Sequence, residues 1–506
     1  MRKELERLAE LDRGQVLVAH IGAALGWDQE TYMPPKAIEE RAEQLALLEG
    51  LSHEKLSDPE IGRLLEALGS TPENPLGDAS LEAEERAYLR ALRRAYDQAT
   101  KLPADLVVEL AREVSLSQAA WAEAREKNDF PAFAPHLERM VALNKRKAAC
   151  LGPGKKPYDV LLDLYEPGST EASIAAVFGA LRKDLVALLG KITSRPQVED
   201  SFLRRPCEAA RQEKMSEWLM RLLSYDVERG RLDTTAHPFT TTLGTDDVRI
   251  TTRYLEDYFP SSVFSTIHET GHALYELGIA PPPAFRRTKL HDAASMAVHE
   301  SQSRLWENTI GRSLAFWKPN YAKLETLAGP ALKGVSVEDF CRAINKVEPS
   351  LIRTEADEVT YGLHVILRFE LEAELMAGRL AVKDVPAAWN AKAKELLGLT
   401  PPDDARGCLQ DIHWSMGAIG YFPSYALGNL YAAQFWARMK KDIPGLEAQV
   451  ESGDVAPVLG WLREKIHRHG TAYLPGELVE RVTGEKLDAR YFVEYLTEKY
   501  SKVYGF

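Results

Sequence analysis

The fold prediction starts from one stretch, Val263-Phe-Ser-Thr-Ile-His-Glu-Thr-Gly-His-Ala-Leu-Tyr275. Apolar residues recur along it at three- and four-residue intervals, which is the pattern of a helix packed against a core. His268 and His272 are four positions apart, so a helix places both imidazoles on one face, about one turn apart. We therefore predict a buried helix that presents two histidines to a shared metal ion.

The same stretch also carries the other parts of a His-Glu-x-x-His zinc motif. Glu269 follows the first histidine and could take a proton from a water molecule near the ion, while zinc would polarise a substrate carbonyl. A chance match on a solvated helix is the alternative. The apolar opposite face and Gly271, which admits a neighbouring backbone, favour the metal site. Ser265 and Thr266 are expected to cap the start of the helix.

Catalytic zinc usually has three protein ligands, so a third ligand is expected downstream. The segment 294–307 again has helical spacing, and Glu300 within it is the predicted third ligand. Glu276 and Glu307 are the alternatives, although Glu276 lies one turn after the second histidine and is better placed to orient a ligand. A surface carboxylate is the ordinary interpretation of Glu300. His299 could contact either a ligand or the substrate.

Composition excludes several other classes of protein. The chain has 506 residues and a formal charge of −12 without a basic stripe, which argues against a nucleic-acid partner. No stretch approaches the roughly 18 apolar residues that a membrane span needs. The four cysteines are scattered and form no CxxC pair. We therefore expect a globular protein of the reducing cytoplasm, with no membrane contact.

Helical periodicity dominates the chain, most clearly over 82–100, 104–127 and 172–192. The segment 237–254 differs, because it is rich in Thr and β-branched residues around a central glycine. We predict a β-hairpin there, directly before the metal helix.

No composition change marks a domain boundary, so a single helical domain is predicted over 1–506. Within it, the N-terminal helices occupy roughly 1–100 and the catalytic motifs occupy 263–428.

Taken together, the motifs resemble those of the carboxypeptidase Taq family of zinc metallocarboxypeptidases. The resemblance covers nearly the whole chain and rests on motifs in the following order: Gly26-Trp-Asp-Gln-Glu-Thr-Tyr-Met-Pro34, His237-Pro-Phe239, Asp247-Val-Arg-Ile-Thr251, His268-Glu-Thr-Gly-His272, His299-Glu-Ser-Gln302, Ile352-Arg-Thr-Glu-Ala-Asp357 and Gly407-Cys-Leu-Gln-Asp-Ile-His-Trp414. The zinc motif alone is only moderately specific, whereas the ordered series is highly specific.

The resemblance implies a mainly α, gluzincin-like peptidase fold, with a deep groove roofed by N-terminal helices and a small sheet near the metal. It implies a homodimer that uses a single zinc ion in each chain, replaceable by cobalt, to release single C-terminal residues from peptides. Residue preference should be broad and cleavage next to proline poor. The charged helices and the prolines in turns are compatible with heat stability, which composition does not establish. A zinc oligoendopeptidase or dipeptidyl carboxypeptidase is the alternative, and a non-catalytic metal-binding scaffold is a further one.

An enzyme that removes C-terminal residues must recognise a free carboxylate, and the planar fork of arginine can donate two hydrogen bonds to it. The sequence alone favours an ion pair for Arg353 with an acidic neighbour (Glu355, Asp357 or Glu358), whereas the resemblance favours the substrate carboxylate. Arg249 is the second candidate for this role. Its ordinary interpretation is a pair with Asp247 across the hairpin or a contact in the dimer.

A tetrahedral intermediate also needs hydrogen-bond donors, and in related zinc peptidases a Tyr or His of a later helix serves. We predict Tyr425 as the oxyanion donor, with Tyr421 as its substitute, and His413 as a substrate-binding donor. A tyrosine in such an apolar stretch is more often a core residue. His237 could contact the substrate backbone at the cleft edge or be a capped core histidine.

Overall fold

Helices form most of the molecule, as the apolar periodicity predicts. The computed structural model describes all 506 residues. The helices of the first half are α1 (Arg2–Thr31), α2 (Ile38–Leu56), α3 (Pro59–Ala67), α4 (Ala83–Thr100), α5 (Ala104–Lys127), α6 (Phe130–Leu151), α7 (Pro157–Tyr165), α8 (Glu171–Thr193) and α9 (Ala209–Leu222). The three helices predicted from periodicity (α4, α5 and α8) lie within about one residue of their expected bounds.

The helices of the second half carry the site motifs or pack around them. They are α10 (Pro260–Gly278), α11 (Met296–Arg304), α12 (Leu314–Ala328), α13 (Val337–Ala343), α14 (Glu358–Ala377), α15 (Val385–Leu397), α16 (Pro423–Asp442), α17 (Leu446–Glu451), α18 (Ala456–Lys465), α19 (Pro475–Thr483) and α20 (Arg490–Tyr504). A π-helical segment, Leu305–Ile310, continues α11. None of these helices combines the length and the apolar character needed to cross a bilayer.

A three-stranded sheet lies directly before α10. Its strands are β1 (Leu232–Thr234), β2 (Thr240–Gly244) and β3 (Asp247–Thr252), in the order β1-β3-β2. β2 and β3 pair antiparallel, with Thr241 opposite Arg249, which confirms the predicted hairpin. β1 pairs parallel to β3 and was not predicted, because three residues are too few to show an alternating pattern.

The start of α10 differs from the prediction. The helix begins at Pro260, whose fixed φ suits a first helical position, and no side chain caps it. Ser265 and Thr266 lie inside the helix, so their predicted capping role is wrong. The Thr266 hydroxyl instead donates to the Oγ of Ser216 at 2.9 Å, and Ser265 shares a 2.7 Å hydrogen bond with Thr252. These hydroxyls join α10 to α9 and to β3.

Two glycines allow α11 to pack closely between α10 and α16. A Cβ atom at Gly271 would lie 2.8 Å from the carbonyl oxygen of Gln302 and from the Cα of Ser303. A Cβ atom at Gly428 would lie 2.7 Å from both Cβ and Cγ of Glu300. Real side chains do not make such short contacts, so the close packing of α11 depends on glycine at both positions.

The N-terminal helices have a small hydrophobic core of their own. Residues of α1, α3 and α4 bury one another together with Phe285 and Leu290, which follow α10 in the chain. The buried Asp12 of α1 also accepts a hydrogen bond from the backbone N–H of Lys289 at 2.8 Å. The segment after the metal helix therefore anchors the N-terminal helices.

Candidate metal centre and active site

α10 and α11 bring the three predicted metal ligands together. Donor atoms of His268, His272 and Glu300 all lie within 4.8 Å of one another. The Nε2 atoms of the two histidines are 3.8 and 3.4 Å from the same carboxylate oxygen, Oε2 of Glu300. Two imidazoles and one carboxylate are a donor set typical of catalytic zinc, so these side chains fit the ion that the sequence predicts.

The imidazole of His268 is oriented by a hydrogen bond at Nδ1. Nδ1 of His268 lies 2.8 Å from Oε2 of Glu307, and Glu307 in turn accepts hydrogen bonds from Arg304 at 3.3 Å and Arg312 at 3.0 Å. A proton on Nδ1 leaves Nε2 free as a metal ligand. Glu307 was an alternative third ligand in the sequence analysis. From the π-helical segment it instead contacts Nδ1 of His268, the ring nitrogen that does not face Glu300.

The second histidine is held by a chain of two partners. Nδ1 of His272 contacts Nδ1 of His299, and Nε2 of His299 lies 2.8 Å from Oε1 of Glu276. If Nε2 of His272 is to bind the ion, its Nδ1–H donates to His299, which then donates to Glu276. Both ring nitrogens of His299 are thus used. The structure favours contact with a ligand over the predicted contact with substrate.

Glu269 is placed beside this centre by the helix and by the sheet. It is 6 % exposed, and its carboxylate Oε2 accepts a 2.6 Å hydrogen bond from the hydroxyl of Thr240 on β2. Burial raises the pKa of Glu269. Glu269 and His268 also line a cavity of about 230 Å³, which includes Glu307 but neither His272 nor Glu300. Thr240 thus joins the hairpin to Glu269.

Arg353, the candidate for carboxylate recognition, is a buried residue. Its Nε and Nη2 donate to Oδ1 of Asp411 at 3.1 and 2.9 Å, and its Nη1 donates to the Tyr361 hydroxyl at 3.0 Å. The ion-pair partner is therefore Asp411 and none of the three acidic neighbours expected from the sequence. These contacts use three of the five guanidinium N–H groups, which leaves two as donors.

Asp411 is the residue that the sequence reasoning missed. It lies inside a recognised motif, yet nothing in the sequence shows which cation it pairs with. Besides Arg353, it accepts from Nε of the fully buried Arg368 at 2.7 Å. The two guanidinium groups hold the pKa of this buried carboxyl well below its usual range. Asp411 thus fixes the arginine that is the candidate for carboxylate recognition.

The predicted aromatic donors lie next to Arg353. Its guanidinium stacks over the Tyr425 ring at 4.9 Å, and the Tyr425 hydroxyl is 3.4 Å from Nε2 of His413. Tyr421 packs edge-on against Tyr425 at 5.2 Å. Burial lowers the pKa of His413 to about 4, so its imidazole is neutral at pH 7. One cluster thus contains Arg353, His413, Tyr421 and Tyr425. Their predicted roles in binding substrate and stabilising the oxyanion require that they lie close together.

Two other candidates lie further from these contacts. Arg249 donates twice to Asp247 at 2.8 Å and stacks over Trp27 at 4.4 Å. Asp247 is the expected partner, but both residues lie on β3, so the pair does not cross the hairpin. The side chain of His237 is exposed and makes no hydrogen bond, while its carbonyl accepts from Thr235 at 2.8 Å. Trp27 and Tyr32 of the N-terminal motif contact the sheet.

Comparison with known proteins agrees with this fold and with a metallopeptidase. The family model described as "Carboxypeptidase Taq (M32) metallopeptidase" matches residues 7–500, and the chain belongs to that family. Thermostable carboxypeptidase 1 of Thermus thermophilus is 44% identical over 99% of both chains. Carboxypeptidase 1 of Bacillus subtilis is 40% identical over 95% of both chains.

Solved structures give the same result. The crystal structure of an M32 carboxypeptidase from Deinococcus radiodurans R1 superposes with a TM-score of 0.95 at 42% identity and covers 100% of both chains. A Pyrococcus furiosus carboxypeptidase structure has a TM-score of 0.93 at 40% identity, with 99% of both chains covered. The chain is therefore a metallocarboxypeptidase with the mainly helical fold of this family.

Proposed function

We propose that the chain is a zinc-dependent carboxypeptidase that releases single amino acids from the C-terminus of peptides. The observation that carries the proposal is the convergence of His268, His272 and Glu300 beside the buried carboxylate of Glu269. A ligand set of three with an adjacent base is the arrangement of a catalytic zinc site, whereas a structural site is normally closed by four protein ligands.

The two histidines and Glu300 would hold a single zinc ion in each chain, and cobalt could replace it. When bound, zinc supplies Lewis acidity for the substrate carbonyl and for water. Glu269 accepts a proton from the water whose oxygen attacks the last peptide carbonyl carbon. As the C–N bond breaks, Glu269 passes that proton to the leaving amine. Thr240 holds the carboxylate in place for both transfers.

The cluster around Arg353 would select the terminal bond. The two remaining N–H groups of Arg353 would bind the free α-carboxylate of the substrate, with Asp411 fixing the guanidinium from behind. Tyr425 would donate to the developing oxyanion, and His413 would serve beside it as a substrate donor. Substrate contacts by His237 and Arg249 stay predictions.

The finer properties rest on the family resemblance. We expect broad preference for the released residue and poor cleavage next to proline, whose ring fixes φ and removes the N–H. Heat stability, a homodimer and a cytoplasmic location complete the proposal. The four free cysteines are compatible with a reducing compartment.

Metal removal and Glu269→Gln test the chemistry. Chelation should abolish peptide hydrolysis, and zinc or cobalt should restore it. The Gln variant should bind zinc like the wild type but lose about 10²–10⁴-fold in kcat, because an amide cannot accept the proton. Zinc content measured alongside kcat separates the two effects. A fully active chelated protein, or an active Gln variant, would contradict the mechanism.

Arg353→Ala tests the carboxylate role. With free peptides the variant should lose kcat/KM strongly, whereas the weak hydrolysis of amidated peptides should change little. Arg379→Ala is a matched control, because Arg379 is an exposed arginine that pairs only with Glu374. If the ratio of free to amidated hydrolysis equals that of the wild type, Arg353 does not bind the terminal carboxylate.

A further inference from the structure

A second buried carboxylate lies behind the substrate side of the site. Glu372 of α14 is completely buried, and its hydrogen-bond donors are a hydroxyl, an indole and a backbone N–H rather than a cation. Its oxygens accept three hydrogen bonds, from the Tyr158 hydroxyl at 2.9 Å, from Nε1 of Trp414 at 2.8 Å and from the backbone N–H of Gly420 at 2.9 Å. Burial raises the pKa of Glu372 to about 7, and these three donors, rather than a contacting cation, stabilise its ionised form.

Two of these three donors belong to the loop 411–422, which connects Asp411 to α16. Trp414 directly follows His413, and Gly420 directly precedes Tyr421. Glu372 therefore holds the loop at two points, and each point adjoins a side chain that lies against Tyr425. One carboxylate thus contacts the loop near its start, at Trp414, and near its end, at Gly420.

Backbone hydrogen bonds within the loop, such as those from Gly417 to Trp414 and from Ala418 to His413, form turns but do not join it to α7 or α14. The loop contains no regular helix or strand, and Gly420 has a φ of +92°. A Cβ atom at Gly420 would lie 2.9 to 3.0 Å from backbone atoms of Leu161 in α7. The loop is thus pressed against α7 at the buried Gly420, whose N–H is shielded from water and needs a protein acceptor.

We propose that Glu372 is a positioning residue for substrate binding: it holds the loop 411–422 so that His413 and Tyr421 face the substrate. This inference rests on the proposed carboxypeptidase function. The Glu372 carboxylate contacts neither the three metal ligands nor the side chains of His413 and Tyr421. It acts on the loop through the N–H of Gly420 and the indole of Trp414. Its loss should therefore weaken substrate binding and leave the metal in place.

Glu166 provides a matched comparison within the same molecule. It is also buried, and it accepts from the Tyr431 hydroxyl at 2.6 Å and from the N–H of Ala297 at 3.3 Å. Ala297 lies in the first turn of α11, the helix that carries Glu300. Glu166 thus supports the metal side of the site in the way that Glu372 supports the substrate side.

Removing one donor at a time tests the proposal. Trp414→Phe also shrinks a buried ring that packs against Trp389, so its unfolding midpoint is measured together with KM. Trp414→Phe and Tyr158→Phe each remove one donor to Glu372, but only the indole belongs to the loop. Trp414→Phe should raise KM for a free-carboxylate peptide about fivefold or more with normal zinc content. Tyr158→Phe should leave KM within about twofold of the wild type. Equal KM values for the two variants would overturn the proposal.

Glu372→Gln and Glu166→Gln extend the test. An amide has one accepting oxygen, so in either orientation Glu372→Gln leaves one loop N–H facing an NH₂ group. For Glu372→Gln we expect a raised KM and full zinc content. For Glu166→Gln we expect reduced zinc content and an unchanged KM of the zinc-loaded fraction. Reduced zinc content with normal KM in Glu372→Gln would overturn the inference. A wild type without zinc-dependent hydrolysis would instead refute the proposed function itself.

Discussion

Each histidine of the metal centre is fixed at Nδ1 by a different kind of partner. His268 contacts the carboxylate of Glu307, whereas His272 contacts a second imidazole, that of His299. Both arrangements leave Nε2 directed toward Glu300. The orientation of the ligands is therefore set before an ion binds, which lowers the free-energy cost of assembling the site.

Glu307→Gln tests this support. The amide oxygen can still accept from Nδ1, but the negative charge that strengthens the imidazole as a ligand is lost. We expect zinc affinity to fall about 10–100-fold, measured by competition with a chelator. Glu348→Gln is a suitable control, since Glu348 is a 68 % exposed glutamate that shares a cavity with Glu307. Unchanged zinc affinity in Glu307→Gln would contradict the argument.

Tyr425→Phe tests the oxyanion donor. Removal of its hydroxyl should lower kcat about 10²–10³-fold, while zinc content stays at the wild-type level. Tyr491→Phe in α20 is the control, because the Tyr491 hydroxyl contacts only Glu485 and Arg490. Turnover that is equal in wild type and Tyr425→Phe would remove Tyr425 from the mechanism.

Spacing within one helix predicted the two histidines and Glu269, because four-residue separation fixes their relative direction. Glu300 could be predicted because zinc chemistry requires a further ligand nearby. The pairing of Arg353 with Asp411 could not, since the partners are far apart in sequence and only the tertiary fold brings them together. The same holds for the contact between Glu307 and His268.

At the scale of secondary structure, the position of α11 depends on its packing between α10 and α16. The predicted helix at 294–307 exists, but it changes to π-helical geometry at Leu305. Apolar spacing does not distinguish the two forms, so the π-helical segment could not be predicted. That segment carries Glu307, which contacts His268. Packing, rather than local propensity, thus places this partner of a metal ligand.

Gly428→Ala tests the importance of close helix packing. The added methyl group would overlap with Cβ and Cγ of Glu300, so Glu300 must move. We expect zinc affinity to fall at least tenfold, measured by chelator competition on the folded variant. Gly179→Ala in α8 is the control, because a Cβ atom there meets nothing within 4 Å. That control should retain zinc and gain about 0.5–1 kcal/mol of stability. Normal zinc affinity in Gly428→Ala would contradict the packing argument.

The anchor of α1 gives a pH-dependent prediction. Burial raises the pKa of Asp12 to about 7, against an ordinary value of 3.8. Its stabilising contribution is therefore complete below about pH 4 and is lost as pH rises through about 7. Asp12→Asn should be insensitive to this titration, so it should gain stability relative to wild type between pH 5 and pH 8.

Thermal unfolding midpoints of the two proteins at both pH values check the Asp12 prediction. Asp105→Asn, at a 79 % exposed position, is the control and should follow the wild type at both pH values. A difference between Asp12→Asn and wild type that does not change with pH would show that the Asp12 carboxyl does not titrate in this range.

At the scale of the whole molecule, two sides of one site come from distant parts of the chain. In the proposed mechanism, α10, α11 and the sheet form the metal side. The substrate side would consist of the segment 352–361, the loop 411–422 and the start of α16. The resemblance of the ordered motifs predicted that both sides exist. Their separate buried supports, Glu166 and Glu372, became visible only in the fold, because buried carboxylates look like surface ones in a sequence.

The central claim is that the two sides together cut only the last peptide bond. Mass spectrometry of a peptide of defined sequence, with a free or an amidated C-terminus and with or without chelator, tests it directly. We predict a ladder of products shortened one residue at a time from the free C-terminus, none with chelator, and little from the amidated peptide. Internal cleavage, release of dipeptides, or equal digestion of both peptides would contradict the account.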